Sequence, residues 1–193
     1  MGSMVESQLV ITAHRPNLRE KTFFLLAGFI LSVPISFFFE TLAADYLANT
    51  ISDQLVRYLL IISIAPLVEE FAKAYPLFYR HGETQRSIVT LGFLVGLGFG
   101  LTEFFTYVTA LGAPVFIRLP GLAFHTASTS ITAYGIAKKR PAVFYIISVF
   151  LHFLNNFSAV LGFAWFFVGI PAVSISIVLA YVLYKRTSEM MVE

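Results

Sequence analysis

The chain has 193 residues, 58% of them hydrophobic and only 12% charged, with a mean hydropathy of +0.79. That leaves too little polar surface for a soluble domain of this size, so a bilayer is the expected solvent. A net charge of +2, carried in short loops, offers no basic face for nucleic acid, and the absence of cysteine excludes disulfides and thiolate metal sites.

From the N-terminus, Met1-Gly2-Ser3-Met4 reads as an expression remnant before a native Met4. The residues after it lack the apolar run and small-residue cleavage site of a signal peptide. A hydrocarbon core of ~30 Å takes about 20 helical residues per crossing. Six segments meet that length: 22–39, 55–79, 87–111, 115–137, 142–161 and 163–184. They are continuously apolar rather than alternating, which favours helices over a barrel. The expected fold is therefore all-α, a polytopic membrane protein of about six transmembrane helices. Residues 1–21 form a cytoplasmic segment, 22–184 a single membrane domain and 185–193 a cytoplasmic tail. Residues 44–53 are expected to be a polar outer connection, with a short surface helix as an option within it.

Loop charges set the orientation. Arg15, Arg19, Lys21, Arg80, Arg86, Lys138, Lys139, Arg140, Lys185 and Arg186 fall on one side of a six-crossing chain. Only Arg57 and Arg118 fall on the other. The excess of basic residues predicts both termini in the cytoplasm of a cell-membrane protein.

Polar residues inside the spans are the anomaly. Glu69, Glu70, Lys73, Glu103, His125, His152 and Asn156 would each be costly in lipid, about 3 kcal/mol for a central charge on an insertion scale. Burial in one polar cavity, formed by helices two to five, relieves that cost. Glu69 and Glu70 lie four and three residues before Lys73, so the lysine can neutralise one carboxylate and leave the other for chemistry. Pro66 should kink this helix and free backbone carbonyls beside the pair. Gly92, Gly96 and Gly100 share one face and allow a close helix contact, and the same face runs on to Glu103 and Tyr107. His125 and His152 are the histidines within spans, and Asn156 lies one turn beyond His152. Asn155, three residues after His152, is the adjacent alternative, and Asn156 could equally make an interhelical hydrogen bond.

In order, the pattern is EExxK at Glu69-Glu70-Lys73, ExxxY at Glu103-Tyr107, a lone His125, then HxxxN at His152-Asn156. It resembles the PrsW family of intramembrane proteases, related to the CAAX prenyl proteases and bacteriocin-processing enzymes. The likeness covers residues 66–156. Ala74 and Gly121 stand where the CAAX-protease pattern has Arg and Phe, so the PrsW-like branch fits better. The resemblance implies Glu69 as the water-activating carboxylate with Glu70 beside it, His125 and His152 as essential, Asn156 at the scissile carbonyl, and a membrane-embedded or membrane-anchored protein as substrate.

Peptide hydrolysis needs an activated water, a base and stabilisation of the oxyanion. Two His and one Glu are a known zinc set, so His125, His152 and Glu103 could hold zinc and leave Glu69 as base. A metal-free Glu–His pair is the other route. Intramembrane acids and histidines also serve proton- or ion-coupled transporters, and a non-catalytic membrane scaffold is a third reading.

Overall fold

The computed structural model describes residues 14–79, 83–162 and 165–192. Among these the chain is helical, with no strand beyond isolated bridges. Six helical runs follow one another: α1 (Leu18–Ala48), α2 (53–74, continued by a 3₁₀ turn at Tyr75–Tyr79), α3 (Gln85–Ala110), α4 (Val115–Ala137), α5 (Pro141–Val160) and α6 (Trp165–Lys185). α1, α3, α5 and α6 are long and apolar enough to cross a membrane. α2 and α4 match them in length but carry the charged and hydroxyl side chains.

Local chemistry sets the ends. Asn17 and Glu20 form a reciprocal capping box, with Asn17 Oδ1 accepting from the Glu20 N–H at 3.0 Å and the Asn17 N–H donating to Glu20 Oε2 at 2.9 Å. Thr84 caps α3, and Pro141 opens α5 where a missing N–H costs nothing. Gly112 and Gly162, at φ +69° and +64°, turn the chain after α3 and α5. The outer connection expected at 44–53 is shorter than that. Leu42 to Leu47 contains no glycine or proline, so α1 continues to Ala48 and only residues 49–52 turn.

α3 and α4 pack most extensively, and the glycines explain why. A Cβ on Gly96 would stand 2.5 Å from the His125 carbonyl oxygen and 2.8 Å from Thr129 Oγ1. No larger residue permits that approach, which brings α3 against the turn carrying His125. α4 also packs on α5 and α6, so its hydroxyls face protein on most sides. They are satisfied locally or across helices: Thr129 donates to the His125 carbonyl at 2.9 Å, Ser130 to the Thr126 carbonyl at 2.8 Å, and Thr132 to Ser148 Oγ at 2.9 Å. The outward surface is apolar, with Phe37, Phe38, Ile146, Phe150, Phe166 and Phe167 all exposed. That is the reverse of a soluble protein and suits lipid contact.

His14 pairs with Glu83, and Thr84 with Met191, while the Val192 N–H donates to the Glu83 carbonyl at 2.9 Å. The described residues near both termini thus meet at one end of the bundle.

Candidate active site

Glu69, Glu70 and Lys73 stand on α2 just past the Pro66 break, Glu103 near the end of α3, His125 in mid α4, and His152 and Asn156 on α5. Lys73 and Glu70 are completely buried. Lys73 Nζ donates to Glu70 Oε1 at 2.7 Å and to Ser128 Oγ at 3.4 Å. Ser128 Oγ donates to the same Glu70 oxygen at 3.0 Å. The ion pair is therefore hydrogen-bonded on several sides, as a charge pair in a low dielectric must be.

The partners assign both imidazole tautomers. An ammonium has no lone pair, so His125 Nδ1, 2.9 Å from Lys73 Nζ, accepts, and the His125 proton sits on Nε2, facing Glu103 Oε2 at 2.5 Å. His152 is the mirror case. Its Nδ1–H donates to Glu70 Oε1 at 2.9 Å, which leaves the Nε2 lone pair free. Phe99 and Phe124 hold the rings from the side, at 5.1 Å from His125 and 5.0 Å from His152 between centroids.

The imidazole nitrogens turned away from Glu103 and Glu70 converge on Glu69. Glu69 Oε2 lies 3.9 Å from His125 Nδ1 and 3.8 Å from His152 Nε2. It is buried and has no hydrogen-bond partner. One donor atom from each of the three residues lies within 4.8 Å of the others. Ligands at ~2.1 Å around tetrahedral zinc stand about 3.4 Å apart, so each of the two Glu69–imidazole distances would contract by about half an ångström to hold the ion. An orphaned buried carboxylate oxygen between two imidazole nitrogens fits a divalent metal.

Glu103, expected as the third ligand, stands instead behind His125, on the nitrogen facing away from Glu69. Its other oxygen accepts from Arg118 Nη2 at 2.9 Å, and the Arg118 guanidinium lies 3.6 Å over the Tyr107 ring. Glu70 takes the corresponding place behind His152. Asn156 turns toward α2, where its Nδ2 donates to the Ile61 carbonyl at 2.9 Å.

Glu69, Glu103, Tyr107, His125, His152 and Asn156 border one cavity of about 650 Å³. Glu40 of α1, Arg118 of α4 and Asn155 of α5 also line it, and α6 contributes Trp165. Sequence reasoning missed Glu40, Arg118 and Trp165 as site residues, and had Asn155 only as the alternative to Asn156. Arg118 had a signal, since it lies seven residues before His125 and so on the same helical face. Glu40 was lost by ending the first span at 39.

Carboxylates and imidazoles gathered in one cavity, inside helices with an apolar exterior, define a polytopic membrane protein with a polar, titratable core. The chain matches the PrsW family of intramembrane metalloproteases across residues 18–184 and belongs to that family. It is an intramembrane protease, with membrane-embedded proteins as its class of substrate, which sets aside the transporter and scaffold readings. No curated protein and no solved structure matches the chain.

Proposed function

We propose that the chain hydrolyses a peptide bond of a membrane-associated protein at the Glu69–His125–His152 triangle, with zinc as its metal. The observation that carries this reading is the Glu69 carboxylate oxygen, buried without a hydrogen bond between two imidazole nitrogens. His125 Nδ1, His152 Nε2 and Glu69 Oε2 would hold the ion, which when bound supplies Lewis acidity and lowers the pKa of a bound water. Glu70 and Glu103 hold the protons on the far nitrogens of the two rings, keeping the near nitrogens as lone-pair donors. Lys73 in turn fixes Glu70, and Arg118 fixes Glu103. The Glu69 carboxylate takes the proton of the attacking water and passes it to the leaving amine. The Asn155 amide, which lines the cavity, would donate to the substrate carbonyl oxygen.

One contact favours the metal-free route. Lys73 Nζ occupies the His125 Nδ1 lone pair that a metal would take. With Glu70 and Ser128 as its other partners, the ammonium stays paired if it gives that lone pair up. Elemental analysis of the purified protein, beside a cleavage assay on a membrane peptide, separates the two. Stoichiometric zinc, loss of cleavage with a chelator and recovery with zinc are expected. Full activity in metal-free protein would remove the zinc reading and leave Glu69 and the histidines acting on water directly.

The same proposal places six crossings in the cell membrane with both termini cytoplasmic, supported by the ten basic residues on one side against two on the other. The cysteine-free chain suits accessibility labelling. A Ser188→Cys variant should label only after permeabilisation, and labelling in intact cells would reverse the topology.

A further inference from the structure

Asn156 occupies the position that family likeness gives to a residue at the scissile carbonyl, yet one of its two amide N–H donors is already committed. Nδ2 donates to the main-chain carbonyl of Ile61, on the opposite wall of the cavity, at 2.9 Å. The reason lies in the backbone of α2. Residues Leu60–Ile64 form a π-helical turn, in which the Ala65 N–H bonds back to the Leu60 carbonyl rather than to Ile61. The next donor in that register, the one due to the Ile61 carbonyl, is residue 66. Residue 66 is proline and has no N–H. Asn156 supplies from α5 the hydrogen bond that Pro66 removes from α2.

We infer that Asn156 is a positioning residue: its bond to the Ile61 carbonyl braces the Pro66 break and so sets where Glu69, three residues further on, meets the two histidines. The brace has company. Tyr145 of α5 donates to the Leu67 carbonyl at 2.8 Å, and His152 reaches Glu70, so residues 145, 152 and 156, spaced to share one face of α5, all bind the Pro66 segment of α2. Sequence reasoning expected carbonyls freed by Pro66 and an interhelical bond as one role for Asn156, but not that the two would meet, because a backbone carbonyl has no letter of its own. The inference deepens the reading of Glu69, His125 and His152 as the reacting cluster and rests on it for its catalytic consequence. Its structural half stands apart.

A double-mutant cycle of Asn156→Ala and Pro66→Ala tests it. Alanine at 66 restores an N–H, and whether the segment keeps its π register or relaxes to α, the Ile61 carbonyl regains a main-chain donor. Removing the amide should therefore matter with proline at 66 and hardly at all with alanine. Asn156→Ala alone should lower both cleavage and zinc affinity about tenfold, the scale of one lost hydrogen bond. In the Pro66→Ala background the same change should cost less than about twofold in each. The thermal midpoint should show the same coupling. Equal losses in both backgrounds, with zinc affinity unmoved, would overturn the inference and place Asn156 on the substrate. Should Asn156→Ala not fold, recovery of folded protein in the double variant is the expected result, and continued failure overturns it. Wild type without zinc would count against the metal reading alone, since coupling in the thermal midpoint and in cleavage does not need the metal.

Discussion

Glu69→Gln should lower cleavage by about 10²–10⁴-fold, the usual contribution of a positioned base, while leaving the protein folded. The amide keeps the shape of the side chain and loses the charge, the proton-accepting oxygen and the carboxylate donor to the proposed metal. Folding should be spared because Glu69 makes no hydrogen bond that the substitution would break, and its buried Oε2 has no partner to lose. Removing a carboxylate that shares its surroundings with Glu70 and Glu103 should leave the thermal midpoint unchanged or raise it. The measurements are turnover of a membrane peptide and a melting curve in the same detergent. Full activity in Glu69→Gln would end the mechanism proposed here. Lost activity together with lost folding would show that the carboxylate is structural.

Lys73→Met and Glu70→Gln address the opposite kind of site. Both side chains are completely buried and 2.7 Å apart. Breaking such a pair from one side leaves an uncompensated charge and typically costs 3–5 kcal/mol. Each single variant should therefore lose much of its stability, Lys73→Met the more, because Glu70 then keeps only the hydrogen bonds from Ser128 and His152. The double variant, neutral on both sides, should recover most of what Lys73→Met loses. It should not recover full activity, since a neutral amide holds the His152 ring less firmly than a carboxylate. Single variants as stable as the parent would show that water or lipid headgroups reach the pair.

The helices were legible because hydrocarbon imposes a length and a composition, and both are written in the residues. Runs expected at 87–111, 115–137 and 142–161 lie within a few residues of α3, α4 and α5. Pro66, Gly112 and Gly162 mark backbone events that a sequence announces, since each residue either lacks an N–H or tolerates a left-handed turn. The site's membership was legible for a related reason: seven polar groups in apolar spans are too costly to scatter. The division of labour among them was not. Glu69 and Glu103 are equivalent as letters. Which one faces the gap between the histidines depends on how α2, α3 and α4 are rotated about their axes. Gly96 and Thr129 set part of that rotation by contact, and contact across helices leaves no spacing to read. Arg118 was missed because a basic residue near a span end was counted as loop charge, when its guanidinium turns inward onto Glu103 and Tyr107.

The two runs that fall short of membrane-crossing composition, α2 and α4, are the ones that carry Glu69, Glu70, Lys73 and His125. A segment loaded with ions and hydroxyls is a poor client for the insertion machinery on its own, and becomes stable in lipid only with neighbours to satisfy it. Biogenesis and competence are thereby made one event. A nascent or half-assembled chain has no place in the bilayer for the residues proposed to cut, and on that proposal has no means of cutting the proteins around it until its own helices have closed about them.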